Sequence, residues 1–190
     1  DVASGARVAA ERFVARALDE GLVDVAYAEV DSPLGRLVAA VTPRGLVRLS
    51  YADERADDVL QELSSRLSPR VLEAPGRLDA VRRELDEYFD GRRRSFALPL
   101  DWRLTRGFGR RILRATARIP YGELATYRRV ARTAGNERAV RAAGNALGAN
   151  PIPIVVPCHR VIRTGGALGG YTGGLDRKRF LLELEGVPTD

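Results

Sequence analysis

Apolar positions fall into two rhythms along the chain, and the change between them marks out the elements. From Val8 to Leu22, Ala10, Val14, Ala17, Leu18 and Gly21 recur at helical spacing, with Arg7, Arg12, Arg16 and Glu20 elsewhere, which predicts a short amphipathic helix. From Asp24 to Tyr51 the rhythm becomes strand-like. Val25, Tyr27 and Glu29 alternate with their neighbours, Leu37 to Val41 is apolar, and Leu46 to Leu49 returns, with turns at Ser32-Pro33-Leu34-Gly35 and Thr42-Pro43-Arg44-Gly45. That pattern predicts an antiparallel sheet of three strands. Two helices follow: Asp53 to Leu67, with Val59, Leu60, Leu63 and Leu67 on one face, and Leu78 to Phe89, with Val81, Leu85, Tyr88 and Phe89, stopped by Gly91.

Composition shifts after Phe96 to Trp102, and the boundary is placed there. The expected organisation is a helical extension over 1–23, an α+β domain over 24–100 and a mostly helical, winged-helix-like domain over 101–190. In that last part, Gly107 to Ile119 predicts an amphipathic helix closed by Pro120-Tyr121-Gly122. Thr126 is expected to cap a short helix through Ala134, Gly135 to stop it, and Asn136 to cap a second helix running to about Leu147. Two short helices around a glycine turn fit a helix-turn-helix, or plain helix packing. The second helix is expected to carry Arg138 and Arg141 beside Ala142, Ala143, Gly144 and Ala146, small side chains that let a helix lie close to a phosphodiester backbone.

Charge sharpens this picture. Residues 1–100 hold 15 Arg against 18 Asp and Glu, a net −3, whereas residues 101–190 hold 16 Arg and Lys against 7 acids, a net +9. The basic half is the candidate for a polyanion. Only one of the 31 cations is a lysine, Lys178, a skew that GC-rich coding also gives. No apolar run reaches the ~18 residues of a spanning helix. One Cys and one His exclude an internal disulfide and a zinc site, which needs about four such ligands, so no metal or cofactor is expected. With no signal-peptide pattern at the start, a cytoplasmic setting is expected. The sequence holds no Met, as a processed chain or a fragment would.

The lone Cys and the lone His are neighbours. Asn150-Pro151-Ile152-Pro153-Ile154-Val155-Val156-Pro157 is stiff and apolar, and it leads into Cys158-His159-Arg160. A free thiol, with a pKa of ~8.5, is only slightly ionised at neutral pH, so a nucleophilic cysteine needs a base or a cation, and His159 and Arg160 are placed to supply both. The alternative is an inert thiol on a core strand, with a surface His. Beyond it lie Gly165-Gly166 and Gly169-Gly170-Tyr171-Thr172-Gly173-Gly174, which lack the Gly-Lys-Ser/Thr of a phosphate loop and suit close approach to a flat ligand, with Tyr171 as a stacking surface. Asp176 is expected to cap a last helix with a stripe of Phe180, Leu181 and Leu184, ending at Glu185-Gly186. Glu185 is either an orienting carboxylate for His159 or a solvated charge.

Ile119-Pro120-Tyr121-Gly122-Glu123, Arg138-Ala139-Val140-Arg141-Ala142-Ala143-Gly144, Asn150-Pro151, Pro157-Cys158-His159-Arg160-Val161 and Tyr171-Thr172-Gly173-Gly174-Leu175 occur in that order. The series resembles the O6-alkylguanine-DNA alkyltransferases, or methylated-DNA-protein-cysteine methyltransferases. It covers 101–187 strongly and 24–100 more loosely, through Asp31-Ser32-Pro33-Leu34-Gly35 and Leu85-Asp86-Glu87-Tyr88-Phe89-Asp90-Gly91; residues 1–22 have no counterpart. The resemblance implies single-turnover transfer of the alkyl group from a guanine flipped out of duplex DNA to Cys158. It makes His159 the water-linked base, Glu185 its orienting carboxylate, and Asn150 the hinge to the helix-turn-helix. It makes Arg141 the finger that fills the vacated stack from the minor groove, and Tyr127 the residue that assists flipping and donates to the base. Leu147 and Tyr171 would line the pocket, the Thr172 N–H would face O6, and the carbonyls of Cys158 and Val161 would accept from the guanine amine. Arg138 is expected as a phosphate contact. Binding would be independent of DNA sequence, by a monomer.

Two features depart from relatives. Phe108-Gly109 and Ile112-Leu113 stand where many carry Phe-Gln and Val-Trp, and the zinc of some relatives' first domain has no ligands here. The rival expectations are a lesion-binding or alkylation-sensing DNA module and a multiple-turnover thiol hydrolase.

Overall fold

The computed structural model describes residues 8, 9, 12–14, 16, 17 and 20–189. Of the helix expected over 8–22, the described residues between 8 and 17 are helical and Ala17 is buried, while Ala10 and Leu18 lie outside the described residues.

The strand rhythm becomes β1 (Val25–Val30), β2 (Leu37–Thr42) and β3 (Gly45–Tyr51), an antiparallel meander in which Ala28 faces Ala39 and Ala39 faces Leu49. The expected three strands gain a fourth, β4 (Val71–Glu73), which pairs parallel to β1, so the sheet is mixed and ordered β3-β2-β1-β4. Three residues between Pro69 and Pro75 cannot display a period of two. They are recruited because the open edge of β1 offers backbone groups that need partners.

Alternation sorts the sheet's side chains into two layers. Val25, Val38, Ala40 and Val47 pack with Val59 and Leu63 of α1 (Ala56–Arg66) on one face. On the other, Ala26, Ala28, Val30, Leu37 and Ala39 pack with Val81, Leu85 and Tyr88 of α2 (Asp79–Phe89). This second layer continues without a break into Ile112, Val130, Ala143, Ile154, Cys158 and Leu181, so the lone cysteine belongs to the same apolar core as the sheet.

One glycine lets the 99–101 segment lie against β3. Leu46 N–H donates to the Pro99 carbonyl at 2.8 Å and Asp101 N–H to the Leu46 carbonyl at 2.8 Å. Gly45, at φ 124°, lies so close that a Cβ would sit 2.0 Å from the Pro99 oxygen. Gly45→Ala is therefore expected to lower the urea midpoint, with backbone strain alone costing roughly 1–3 kcal/mol. Unchanged unfolding would show that the 99–101 segment yields freely.

The basic half contains α3 (Gly107–Thr116), α4 (Tyr127–Thr133), α5 (Val140–Gly148) and α6 (Leu175–Leu184). α3 ends three residues short of Ile119, where Arg118 and Ile119 tighten into i→i−3 bonds. Thr126 caps α4 as expected, its hydroxyl accepting from Arg129 N–H at 3.1 Å. Gly135, at φ 96°, closes it: Gly135 N–H donates to Arg132 O and Asn136 N–H to Ala131 O, both at 2.9 Å.

Asn136 does not cap the next helix. Its side chain accepts from Arg138 N–H in a tight turn, and α5 begins only at Val140, so Arg138 lies in the turn while Arg141 and Ala142 stand exposed on the first turn of α5. Asx side chains satisfy a turn as readily as a helix end, which is why the sequence signal misplaced the boundary. Asp176 is likewise not a cap: Gly174 precedes α6, and Asp176 sits in its first turn. The expected stripe on α6 shifts too, with Phe180 36% exposed and Lys178 fully buried in its place.

A two-residue parallel pair, β5 (Ala125–Thr126) with β6 (Val161–Ile162), ties the start of the helix pair to the chain just after Cys158. Among the described residues no helix is long and apolar enough to cross a membrane.

Candidate active site

The segment from Asn150 to Cys158 is built around one amide. Asn150 Nδ2 donates to the Val156 carbonyl at 2.9 Å and to Cys158 Sγ at 3.2 Å, and its Oδ1 accepts from Ile152 N–H at 3.1 Å. The N–H on Oδ1 settles which way the amide faces. The sheet holds the same segment from outside, through Leu49 N–H and Arg48 Nη1, which donate to the Pro151 carbonyl at 2.8 and 3.4 Å. Ile154 is held at φ 71°, a region that a β-branched side chain occupies only at a cost of about 1–2 kcal/mol. Its side chain is fully buried, so packing fixes the bend that delivers Cys158.

Cys158 opens a single 3-10 turn, Cys158–Arg160, and is not on a strand. It is 4% exposed and faces a cavity of about 270 Å³ lined by Tyr127, Gly144, Leu147, Gly148, Gly170, Tyr171 and Thr172. Burial pushes the thiol up to about 11, against the Asn150 hydrogen bond and the charge of Lys178, which pull it down. The resting group at neutral pH is therefore the thiol.

His159 and Glu185 are both buried and joined by a 2.9 Å hydrogen bond between Nε2 and Oε1. Burial pushes the imidazole below its usual value, although Glu185 pulls it up. A neutral ring beside a carboxylate carries its proton on Nε2, which leaves Nδ1 as a lone pair, and among the described residues that buried atom has no hydrogen-bond partner. Burial would raise the Glu185 carboxyl, but the hydrogen bonds and charges of His159 and Arg160 hold it at about 2. Its donors are many. Arg160 Nε reaches Oε2 and Nη2 reaches Oε1, each at 2.9 Å, Gly122 N–H donates to Oε2 at 3.1 Å, and Tyr88 Oη donates to Oε1 at 2.6 Å. Arg160, expected to support the thiolate, is thus spent on Glu185 and on the Ile119 carbonyl.

The glycine-rich loop forms the far wall. Tyr171 Oη and Tyr51 Oη are 2.6 Å apart, and Arg177 lies 4.4 Å over the Tyr51 ring while pairing with Asp53 at 2.9 Å. Gly173 permits this, since a Cβ there would come within 2.6 Å of Tyr51. Thr172 Oγ1 donates to the Gly148 carbonyl at 2.8 Å, which ties the loop to α5. Tyr127 Oη makes a long contact, 3.4 Å, to the Gly170 carbonyl.

Cys158, His159, Glu185, Asn150, Tyr127, Leu147, Tyr171 and Thr172 thus converge. Val161 is fully buried beside them, its carbonyl accepting from Lys178 Nζ at 2.6 Å. Arg138, Arg141 and Ala142 lie apart on the exposed turn and α5. Sequence reasoning missed Lys178, Tyr88 and Tyr51. Lys178 carried a signal as the single lysine in an arginine-dominated chain, and Tyr88 lay in the Leu85–Gly91 stretch of the resemblance, but neither signal pointed to the site. Burial lowers Lys178 to about 8. Among the described residues no three His, Cys, Asp or Glu side chains gather as a metal site requires.

Comparison with known proteins matches this arrangement along the chain. Residues 25–102 match the model of the 6-O-methylguanine DNA methyltransferase ribonuclease-like domain, and residues 107–187 that of the 6-O-methylguanine DNA methyltransferase DNA binding domain. The constitutive methylated-DNA–protein-cysteine methyltransferase of Bacillus subtilis is 38% identical over 165 residues, covering 85% of this chain and 95% of that protein. The corresponding protein of Mycobacterium tuberculosis H37Rv is 40% identical over 159 residues, covering 84% and 91%. The crystal structure of the M. tuberculosis O6-methylguanine methyltransferase superposes with a TM-score of 0.72 at 38% identity, covering 87% of this chain and 96% of that one. M. tuberculosis OGT in complex with DNA gives 0.72 at 38%, covering 85% and 93%. With both halves matched and relatives near 40% identity spanning most of the chain, this protein belongs to the 6-O-methylguanine DNA methyltransferase family.

Proposed function

We propose that this protein repairs O6-alkylguanine in duplex DNA by moving the alkyl group irreversibly to Cys158. The observation that carries the reading is a buried thiol at the wall of a small cavity, beside a His–Glu pair whose free nitrogen is a lone pair. At rest the thiol is protonated and inert. When a lesion base fills the cavity, the thiol proton passes toward His159 Nδ1 through a bridging water, and the sulfur attacks the O6-alkyl carbon. The S–C bond forms as the C–O6 bond breaks, and the electron pair moves onto the guanine, which takes a proton. Tyr127 Oη donates to the ring, and the Thr172 N–H faces O6, so both act where charge develops. Glu185 keeps the imidazole oriented and stabilises its cation.

The exposed first turn of α5 enters the minor groove, independently of sequence. Arg141 fills the gap left by the flipped base, Arg138 neutralises a phosphate, and Ala142 lets the helix approach. Asn150 is the hinge between that helix and the reactive turn. Leu147 and Tyr171 wall the pocket, and the carbonyls of Cys158 and Val161 accept from the guanine amine. Residues 24–100 form a supporting domain and residues 101–190 the DNA-binding and transfer domain. One monomer serves one lesion, in the cytoplasm at the nucleoid.

A thioether is not an activated acyl group, so water does not release it, and a chain with one cysteine has no second thiol to do so. Mixed with excess O6-methylguanine duplex, repair is expected to stop at one equivalent, with the Cys158 peptide heavier by one methyl and the DNA returned to guanine. Continued turnover means a hydrolase, and tight binding with unmodified Cys158 means a lesion-sensing module.

A further inference from the structure

Tyr88 comes from α2, in the half of the chain outside the DNA-binding region, yet its hydroxyl ends on the carboxylate that holds the base. We infer that Tyr88 is a positioning residue for alkyl transfer: by donating to Glu185 Oε1, the oxygen that also takes His159 Nε2–H, it sets how strongly the carboxylate binds the imidazole. The inference rests on the alkyl-transfer reading of Cys158 and His159, and it deepens that reading.

The geometry is specific. Tyr88 is fully buried and wedged by rings, with Phe89, Phe96 and Tyr121 at centroid distances of 5.4, 5.2 and 6.1 Å, so the hydroxyl has one direction available. Its 2.6 Å contact matches a hydroxyl donating to an ionised acceptor. Burial and the neighbouring Glu185 charge both push the phenol upward, so Tyr88 stays protonated and remains a donor wherever the protein is folded. Oε1 accepts from His159, Tyr88 and Arg160, and Oε2 from Arg160 and Gly122. Each donor spreads the carboxylate charge and weakens its hold on a proton held by His159. That matters because His159 must be neutral to take the thiol proton, and a bare buried carboxylate would keep the ring charged to higher pH.

The other groups acting on the imidazole are accounted for. Arg160 from the same turn and Lys178 from α6 both disfavour its cation, Cys158 adjoins it, and the Tyr171 ring stands edge-on at 6.4 Å. Tyr121 also lies near Glu185, but its hydroxyl donates to the Leu184 carbonyl at 2.8 Å. Tyr88 is the neutral side-chain hydroxyl that donates to the carboxylate itself.

The test exploits a sequence accident: His159 is the only histidine, so its imidazole signals in a magnetic resonance titration need no assignment. In Tyr88→Phe the midpoint of that titration is expected to move to higher pH by roughly half a unit. The acid limb of the pH–rate profile with free O6-benzylguanine should follow it, with up to about a threefold loss on that limb and little change well above the midpoint. A single 3-fluorotyrosine at position 88 keeps the ring and hydroxyl, so it folds where Phe does not, and as a stronger donor it should move the midpoint to lower pH. An unmoved midpoint in the variant that folds, shifts of the same sign in both, or a rate lowered equally at every pH overturns the inference and leaves Tyr88 as packing. The titration needs no substrate, so failure of the alkyl-transfer reading shows separately, as wild-type protein that gains no methyl.

Discussion

Glu185→Gln is expected to slow alkylation of Cys158 by roughly 10²–10⁴-fold and to remove about 3–5 kcal/mol of stability at neutral pH. Both effects come from one charge. The Arg160 guanidinium is 6% exposed and pairs twice with this carboxylate, so a neutral amide leaves a buried cation without its partner. The amide also fails to stabilise a charged His159. Loss of rate should be equal on duplex DNA and on free O6-benzylguanine, because Glu185 is buried beside His159 and is not expected to touch phosphate. The double variant with His159→Ala should lose little more than the worse single, since the pair acts as one unit.

Acid gives an independent check. The Glu185 carboxyl is held at about 2, below an unfolded value near ~4.3, so its contribution to stability is complete above the unfolded value and is lost as pH falls through the folded one. Wild-type protein should lose stability between about pH 4.3 and pH 2, and the glutamine variant should show a flatter profile there. Wild-type unfolding and wild-type rate in the variant would remove Glu185 from the site.

Arg141→Ala should slow repair in duplex DNA by about 10²-fold while leaving reaction with the free base near its original rate. Flipping a base costs a few kcal/mol, and a side chain inserted into the vacated stack offsets part of that cost, whereas a free base requires no flipping. Arg141 stands exposed on the first turn of α5, outside the cavity, so its loss leaves the thiol and its neighbours intact. Arg138→Ala should instead reduce the salt slope of binding by about one with little effect on the bound rate. Equal losses for Arg141→Ala on both substrates would assign it to the pocket and not to the stack.

Much of this was legible in the linear pattern. The three long strands and α1 to α3 occur where hydrophobic periodicity places them, because each buries one face on a continuous core and needs that spacing to do so. The adjacent Cys158 and His159, the proline-stiffened approach and the ordered motifs pointed to the family and to the turn proposed as reactive. Local signals misled at Asn136 and Asp176, whose side chains serve turns as well as helix ends. They were silent at β4, which exists because β1 has an open edge.

What the sequence alone determined is the inventory: one cysteine with one histidine beside it, a basic second half, and the approximate positions of the elements. Those properties depend on neighbours a few residues apart. Only the tertiary structure decided that Arg160 serves Glu185 and not the thiol, that Lys178 is buried among carbonyls, and that Tyr88 and Tyr51, 97 and 120 residues from their partners, reach the site. Partners that distant in the chain leave no spacing to read, and burial, which raises the Cys158 thiol and lowers His159 and Lys178, exists only once the two halves close over a single core.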